Sequence, residues 1–383
     1  MSTPQLVMAR EDAASVVALT RELVAVPSRG GIDDYEPVVG HLRDWFGVRK
    51  MASSVLTDAD RRPIAVVCDV RGERSGPHYV LNACLDTAPF GDEERWTHPP
   101  TAAVVEGDFL YGRGSADAKS GIAIFCHLAA RLVAARHLMH GTLTLLFDLD
   151  EHTGGFAGAK AYFEGPAAGT IDGVMIGYPG LEHLVVGGRG VHRVRLHVAG
   201  VASHSGGRAG TPNAIVKAAD LIRDLAAADL GASGAKVTVT EVGGGSGFSV
   251  TPDRCTLGVD IRTTPGFDAA ALLRTTVTAV DRRWPGTAPT TVEQVTVWPP
   301  YALDADAPLR AAILGAAAVH GLDVTPKVAG PSNIGNYLAG LGIPATAGFG
   351  VAHDGLHATD ERIFIPSIPL VQATYHAAVL ALL

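Results

Sequence analysis

Cysteine is scarce. The 383-residue chain holds four, Cys68, Cys84, Cys126 and Cys255, with no CxxC pair and no regular spacing. That excludes a disulfide framework and leads us to expect reduced thiols and a cytoplasmic protein. Basic charge is also short: 31 Lys and Arg stand against 39 Asp and Glu, for a net charge of −8. Nucleic acid and acidic membrane surfaces are therefore not expected as main partners. The N-terminal stretch lacks a basic region followed by an apolar core and a small-residue cleavage site, so no signal peptide is expected. No apolar run reaches the roughly 18–20 residues of a membrane span, so none is predicted. Charged residues make up only 18% of the chain and hydrophobic ones 47%, the balance of a packed protein rather than a disordered one. Histidine is the exception to this scarcity. There are 15, which makes a search for metal ligands worthwhile.

The patterning predicts two textures. In the first, strands alternate with helices. "EDAASVVALTRELVAVPS" (11–28) has apolar residues at helical spacing, with Pro27 as a stop. "PIAVVCDV" (63–70), "HYVLNACLD" (78–86), "GTLTLLFDLDE" (141–151) and "IDGVMIG" (171–177) read as buried strands, and "KSGIAIFCHLAARLVAAR" (119–136) as a long helix. Near residue 186 the strands begin to alternate apolar with polar residues, as in "VHRVRLHVAG" (191–200), the mark of a half-exposed sheet. Four such strands and two helices fit between 186 and 296, and helix-rich texture then returns. The expected fold is α/β. A mixed-sheet catalytic domain, 1–185 plus 297–383, carries helices on both faces. A smaller α+β domain, 186–296, is inserted as a dimerisation or lid domain.

Buried strands of such a sheet deliver polar groups at their carboxyl ends. Cys84 and Asp86 lie on one side of a strand end because side chains alternate with period two. "YGRGSADAKSG" (111–121) brings Asp117 to the start of a helix, "DLDEHTGG" (148–155) brings Glu151 and His152, "IGYPG" (176–180) brings Tyr178, and "HDGLH" (353–357) ends on His357. Each has a plain reading alone: Asp117 as a helix cap, "DEH" and "HDGLH" as solvated loops, Tyr178 as a packed aromatic, Cys84 as a small core residue. Their joint placement at the ends of core elements favours a site.

In these stretches the sequence resembles the co-catalytic zinc amidohydrolases and exopeptidases, a family that includes succinyl-diaminopimelate desuccinylase, acetylornithine deacetylase, aminoacylase and carboxypeptidase G. "LDTAPFGDEERWTHPPTAAVVEGDFLYGRGSADAKSGIA", "DEHTGG", "GVASHSGGRAGTPNAI", "DIRTTPG" and "HATDER" follow the family's order and spacing. The resemblance implies that Asp117 matches a carboxylate bridging two ions and Glu151 the general base. Asp86 matches the acid that orients the first histidine ligand, and His357 a ligand of the second ion. His204 matches a histidine that enters the partner subunit's site to stabilise the oxyanion, which implies a homodimer. Asn213 and Arg262 match positions that hold substrate carboxylates.

Three ligand positions depart from the pattern. Cys84 stands where the family has histidine, His152 where it has glutamate, and Tyr178 where it has aspartate or glutamate. A phenol with a pKa near ~10 is a costly ligand at neutral pH. Asp117, His152 and His357 suit one divalent ion: zinc first, with manganese, cobalt or iron as other choices. A second ion on Cys84 and Tyr178 stays open. Without an imidazole at 84, Asp86 is left for substrate or solvent. The expected activity is metal-dependent hydrolysis of a C–N amide bond in a small N-acyl amino acid or dipeptide-like substrate, with one ion and Glu151 activating water. The alternatives are a hydrolytic deaminase or specialised biosynthetic amidohydrolase on the same scaffold, and a non-catalytic small-molecule-binding relative.

Overall fold

The structure is a computed structural model that describes residues 3–166, 169–207, 209–331 and 333–383. The chain divides into two compact units, Met1–Val186 with Leu303–Lys327 and Gly342–Leu383, and Gly187–Ala302 with Val328–Leu341. The second unit therefore exceeds the expected single insert, 186–296. Several contacts join these added segments to the unit: Arg189 Nε donates to Gly330 O at 2.9 Å, Trp298 and Tyr337 meet with ring centroids 6.4 Å apart, and the buried amide of Asn336 donates to the carbonyls of Gly188, Arg189 and Pro299 at 3.2, 3.0 and 2.9 Å. That amide ties the Ile334–Gly340 helix to the second unit.

The first unit opens with helix α1 (Pro4–Ala25). It starts earlier than the periodic stretch at 11–28 because Thr3 Oγ1 accepts from Leu6 N–H at 3.1 Å and Pro4 sits in the first turn. Helix α2 (Glu36–Val48) follows. The sheet is built from β1 (Ser53–Thr57), β2 (Pro63–Arg71), β3 (Arg74–Cys84), β4 (His140–Asp148) and β5 (Gly173–Ile176), with the short Ala345–Thr346 strand at its edge. Its order is β1-β2-β4-β3-β5-(345–346). β3 runs parallel to both β4 and β5, whereas β2 is antiparallel to β1 and β4, so the sheet is mixed.

Helices cover both faces. On one face Phe147 of β4 stacks on Phe46 of α2 with ring centroids 6.5 Å apart. On the other, Thr144 of β4 takes a hydrogen bond from Tyr162 in the Ala157–Phe163 helix. The odd and even residues of β4 thus meet different layers, as the pleat requires. Helix α3 (Ser120–Ala134) and the final Ile368–Leu382 helix join the larger core, where Leu81, Leu145, Phe125 and Tyr375 are fully or almost fully buried. The segment Ile365–Leu382 has a mean hydropathy of 1.3, enough to cross a membrane by length and composition. That corrects the reading that no segment is so apolar. Val371, Ala373, Tyr375 and Val379 of the helix are nevertheless buried inside the unit.

The second unit is a four-stranded antiparallel sheet in the order Lys236–Gly244, Arg254–Thr263, Gly190–Ala199, Thr291–Trp298. Val194, Leu196, Leu257 and Val259 pack from the sheet against Leu221, Leu225, Leu273 and Val277 of the Ala214–Ala226 and Ala269–Arg283 helices. The alternate residues carry charge instead, for instance Arg193 facing Asp260 at 2.8 Å. This is the alternation expected of a sheet with one covered face.

Candidate active site

Register gathers the candidate residues. Cys84, the last residue of β3, pairs with Asp148, the last of β4, and Asn82 pairs with Ile176, the last of β5. The loop after β4 carries Glu151 and His152, and Tyr178 lies two residues beyond β5, in line with Cys84. Asp117 enters on the turn Ser115–Lys119, where it and Ala118 leave helical dihedrals before α3 begins. Gly114 allows this turn: its φ is +81°, and a Cβ there would lie 2.5 Å from Thr87 Cγ2.

Asp117 is the hub. Its Oδ2 lies 2.9 Å from His357 Nε2 and 3.5 Å from His152 Nε2. Its Oδ1 takes the Cys84 thiol at 3.5 Å. The two imidazoles stand 5.2 Å apart, centroid to centroid. Cys84, Asp117 and His152 each bring a donor atom within 4.8 Å of the other two. Burial alone would push the Asp117 carboxyl up, but His152 and His357 hold it below the usual carboxylate range. Burial likewise opposes the charged form of His152, yet Asp117 and Asp86 raise it to about 10. Burial, and then Asp117, Glu151 and other nearby acids, push the Cys84 thiol well up.

Asp86 differs from expectation. It is fully buried, so it is not available to substrate or solvent. Its carboxylate accepts the backbone N–H of Glu151 at 3.2 Å and of His152 at 2.9 Å, and Oδ2 lies 3.4 Å from His152 Nδ1. The acid beside a missing imidazole at 84 thus faces the imidazole at 152. Glu151 receives the Tyr178 hydroxyl on Oε1, while its Oε2 is buried with no hydrogen-bond partner. Burial, then Asp148, Asp117 and Asp86, push the Glu151 carboxyl well above the usual range.

Two buried groups were not singled out from the sequence. Arg113 Nη1 donates to Glu361 Oε2 at 2.6 Å, with side chains 2% and 0% exposed. Glu361 Oε1 accepts the backbone N–H of Ala116 at 2.9 Å and of Asp117 at 3.2 Å, and Arg113 Nη2 donates to the His357 carbonyl at 3.3 Å. The pair thereby clamps the loops that present Asp117 and His357. Lys119 donates to the carbonyls of Leu23 and Val26 at 2.8 and 2.9 Å and closes the end of α1; burial lowers its amine to about 7. "YGRG" and "HATDER" contain Arg113 and Glu361, but nothing local in either stretch marks a mutual pair.

The expected residues of the second unit have other contacts. Asn213 Oδ1 caps the Ala214–Ala226 helix, accepting from Ile215 and Val216 N–H at 2.9 and 3.3 Å. Arg262 pairs with Asp260 through Nε at 2.7 Å and Nη2 at 3.1 Å. His204 is exposed, and its Nδ1 accepts Gly206 N–H at 3.1 Å.

Residues 80–381 match the peptidase family M20/M25/M40, and the chain belongs to that family. It is 36% identical over 141 residues to a succinyl-diaminopimelate desuccinylase of Alkalilimnicola ehrlichii, a match spanning 35% of this chain and 37% of the desuccinylase's own length. Its fold is that of an M20 family metallo-carboxypeptidase, Sso-CP2, from Sulfolobus solfataricus (TM-score 0.75, 16% identity, 96% of this chain and 99% of that one). It is also that of YXEP from Bacillus subtilis, described as a dinuclear metal binding peptidase (TM-score 0.74, 17% identity, 97% and 98% covered).

Proposed function

We propose that this protein hydrolyses the amide C–N bond of a small N-acyl amino acid or dipeptide-like molecule, using one divalent ion per chain. The observation that carries the reading is the convergence of two imidazoles on one carboxylate oxygen: His357 Nε2 and His152 Nε2 at 2.9 and 3.5 Å from Asp117 Oδ2. One carboxylate and two imidazoles are a donor set that fits zinc, and also cobalt, iron or manganese. Asp117, His152 and His357 would hold the ion, which when bound supplies Lewis acidity to the scissile carbonyl and acidifies nearby water. Cys84 and Asp117 Oδ1 form a second donor pair, too few for a second ion while Tyr178 is engaged with Glu151.

The remaining work falls to the chain's own groups. Glu151 Oε2, buried and unpartnered, takes the proton of the attacking water and returns it to the leaving nitrogen. Asp86 keeps the Glu151–His152 backbone and the His152 ring in place. We assign the second unit to dimerisation, with His204 of the partner subunit as the donor to the oxyanion. Arg262 is assigned to a substrate carboxylate. The four buried thiols, none in a disulfide, are in keeping with a reducing cytoplasm.

The test is a panel of N-acyl amino acids and dipeptides given to zinc-loaded protein, with zinc per chain counted alongside. The reading expects about one zinc, lost in Asp117→Asn, and hydrolysis that falls at least ~10²-fold in Glu151→Gln. Zinc bound without hydrolysis of any member would favour a binding protein. Release of ammonia from a ring substrate, with no amide cleavage, would favour the deaminase.

A further inference from the structure

This inference rests on the reading of Glu151 as the base and concerns what position 178 does. Tyr178 leaves β5 two residues past Ile176 and stands in line with Cys84. Its backbone is held on two sides. Gly177 N–H donates to Asn82 O at 2.8 Å, and a Cβ at Gly350 would lie only 2.4 Å from Tyr178 O, so the two main chains are in close approach. From that fixed point the hydroxyl donates to Glu151 Oε1. The described partners of the Asp117 carboxylate are Cys84, His152 and His357, and Tyr178 is not among them. One oxygen of Glu151 is thus occupied, and the other is buried and unpartnered.

We propose that Tyr178 is a positioning residue and not an ion ligand: its hydroxyl anchors Glu151 Oε1 and leaves Oε2 as the single oxygen that exchanges a proton. A carboxylate with two equivalent free oxygens can rotate and present either to the attacking water. A phenol fixed on one of them removes that freedom, which is the gain of preorganisation. Proton balance is simple. The water's proton goes to Oε2 and then to the leaving nitrogen, and Tyr178 keeps its own proton throughout.

The experiment uses the full chain with zinc as the probe. Tyr178→Phe is expected to bind as much zinc as the wild type. Its kcat on the substrate found in the panel should fall about tenfold with KM unchanged, the effect of one lost orienting hydrogen bond. In the Glu151→Gln background the same change should cost nothing further, a coupling that a merely structural role would not produce. A crystal of zinc-loaded wild-type protein should place Tyr178 Oη on Glu151. Loss of zinc in Tyr178→Phe, or Tyr178 Oη on the zinc in that crystal, would overturn the proposal. So would an unchanged kcat. If the wild type hydrolyses no member of the panel, the base assignment falls and the positioning role with it, while zinc content and the crystal still decide whether Tyr178 is a ligand.

Discussion

Arg113 Nη1 meets Glu361 Oε2 at 2.6 Å with both side chains out of water, and the pair helps to join the loop carrying Asp117 to the loop carrying His357. Removing one member leaves the other charge buried and unpaired, which costs about 3–5 kcal/mol. Glu361→Ala should therefore lower the stability of the first unit by about that amount. It should also weaken zinc binding, because two backbone N–H groups lose their acceptor and Asp117 is released. Urea unfolding and zinc titration measure the two effects. A variant with wild-type stability and zinc affinity would show that the clamp is dispensable.

Placing at 84 and 178 the residues that the resemblance implies for ion ligands should add a second ion. Cys84 ends β3, Tyr178 lies two residues past β5, and Cys84 donates to Asp117 Oδ1 at 3.5 Å. The double substitution Cys84→His with Tyr178→Asp puts an imidazole and a carboxylate beside that oxygen, a set that suits zinc. Zinc per chain, counted by mass spectrometry, should rise from about one to about two. A count that stays at one would mean that residues other than these two limit the site.

Asp148 links stability to pH. Its Oδ1 accepts Asn82 Nδ2 at 2.7 Å, but Oδ2 is buried without a partner, and burial raises the carboxyl to about 7. The unfolded chain holds this proton only below about 4. Between those values the folded state binds more protons, so this group's contribution to stability declines as pH rises from about 4 to about 7. Asp148→Asn removes that penalty. The variant should gain up to about 4 kcal/mol over the wild type at pH 8 and little at pH 4, measured by urea unfolding of zinc-free protein. An equal difference at both values would refute the linkage.

Lys217 is fully buried in the second unit. It donates to Asp281 and Thr287 Oγ1, each at 2.8 Å, and to the Ala288 carbonyl at 3.1 Å. Lys217→Met keeps the volume of the stem and removes all three bonds. The expected cost is roughly 2 kcal/mol, the range for hydrogen bonds made by a charged group. Urea unfolding of the wild type and the variant, compared side by side, measures it.

The alternating strands of the second unit were legible because burial on one face imposes period two, and Leu196, Leu257 and Val259 obey it. The mixed central sheet was legible as a class, through continuous apolar runs such as "TLTLLF" that end in acids. Asp117, Glu151, His152 and His357 could be picked out because each follows or precedes a core element, and those end points converge in an α/β sheet. Less could be read where contacts are long-range. The Ile334–Gly340 helix is joined to the second unit by the Asn336 amide and by Tyr337 against Trp298, and nothing in its own composition shows that. Arg113 and Glu361 are 248 residues apart in the chain, and a pair at that separation leaves no periodic trace.

The sequence by itself determined which chemical groups are available: a thiol at 84, an imidazole at 152 and a phenol at 178. Residue identity sets donor type and charge, and no folding changes that. Only the tertiary structure decided which groups face one another. It turned Asp86 toward His152, gave the Tyr178 hydroxyl to Glu151 and left Glu151 Oε2 alone. The physical reason is that hydrogen bonds and ion pairs act over about 3 Å, and distances on that scale are set by strand register and loop packing, which only the folded chain fixes.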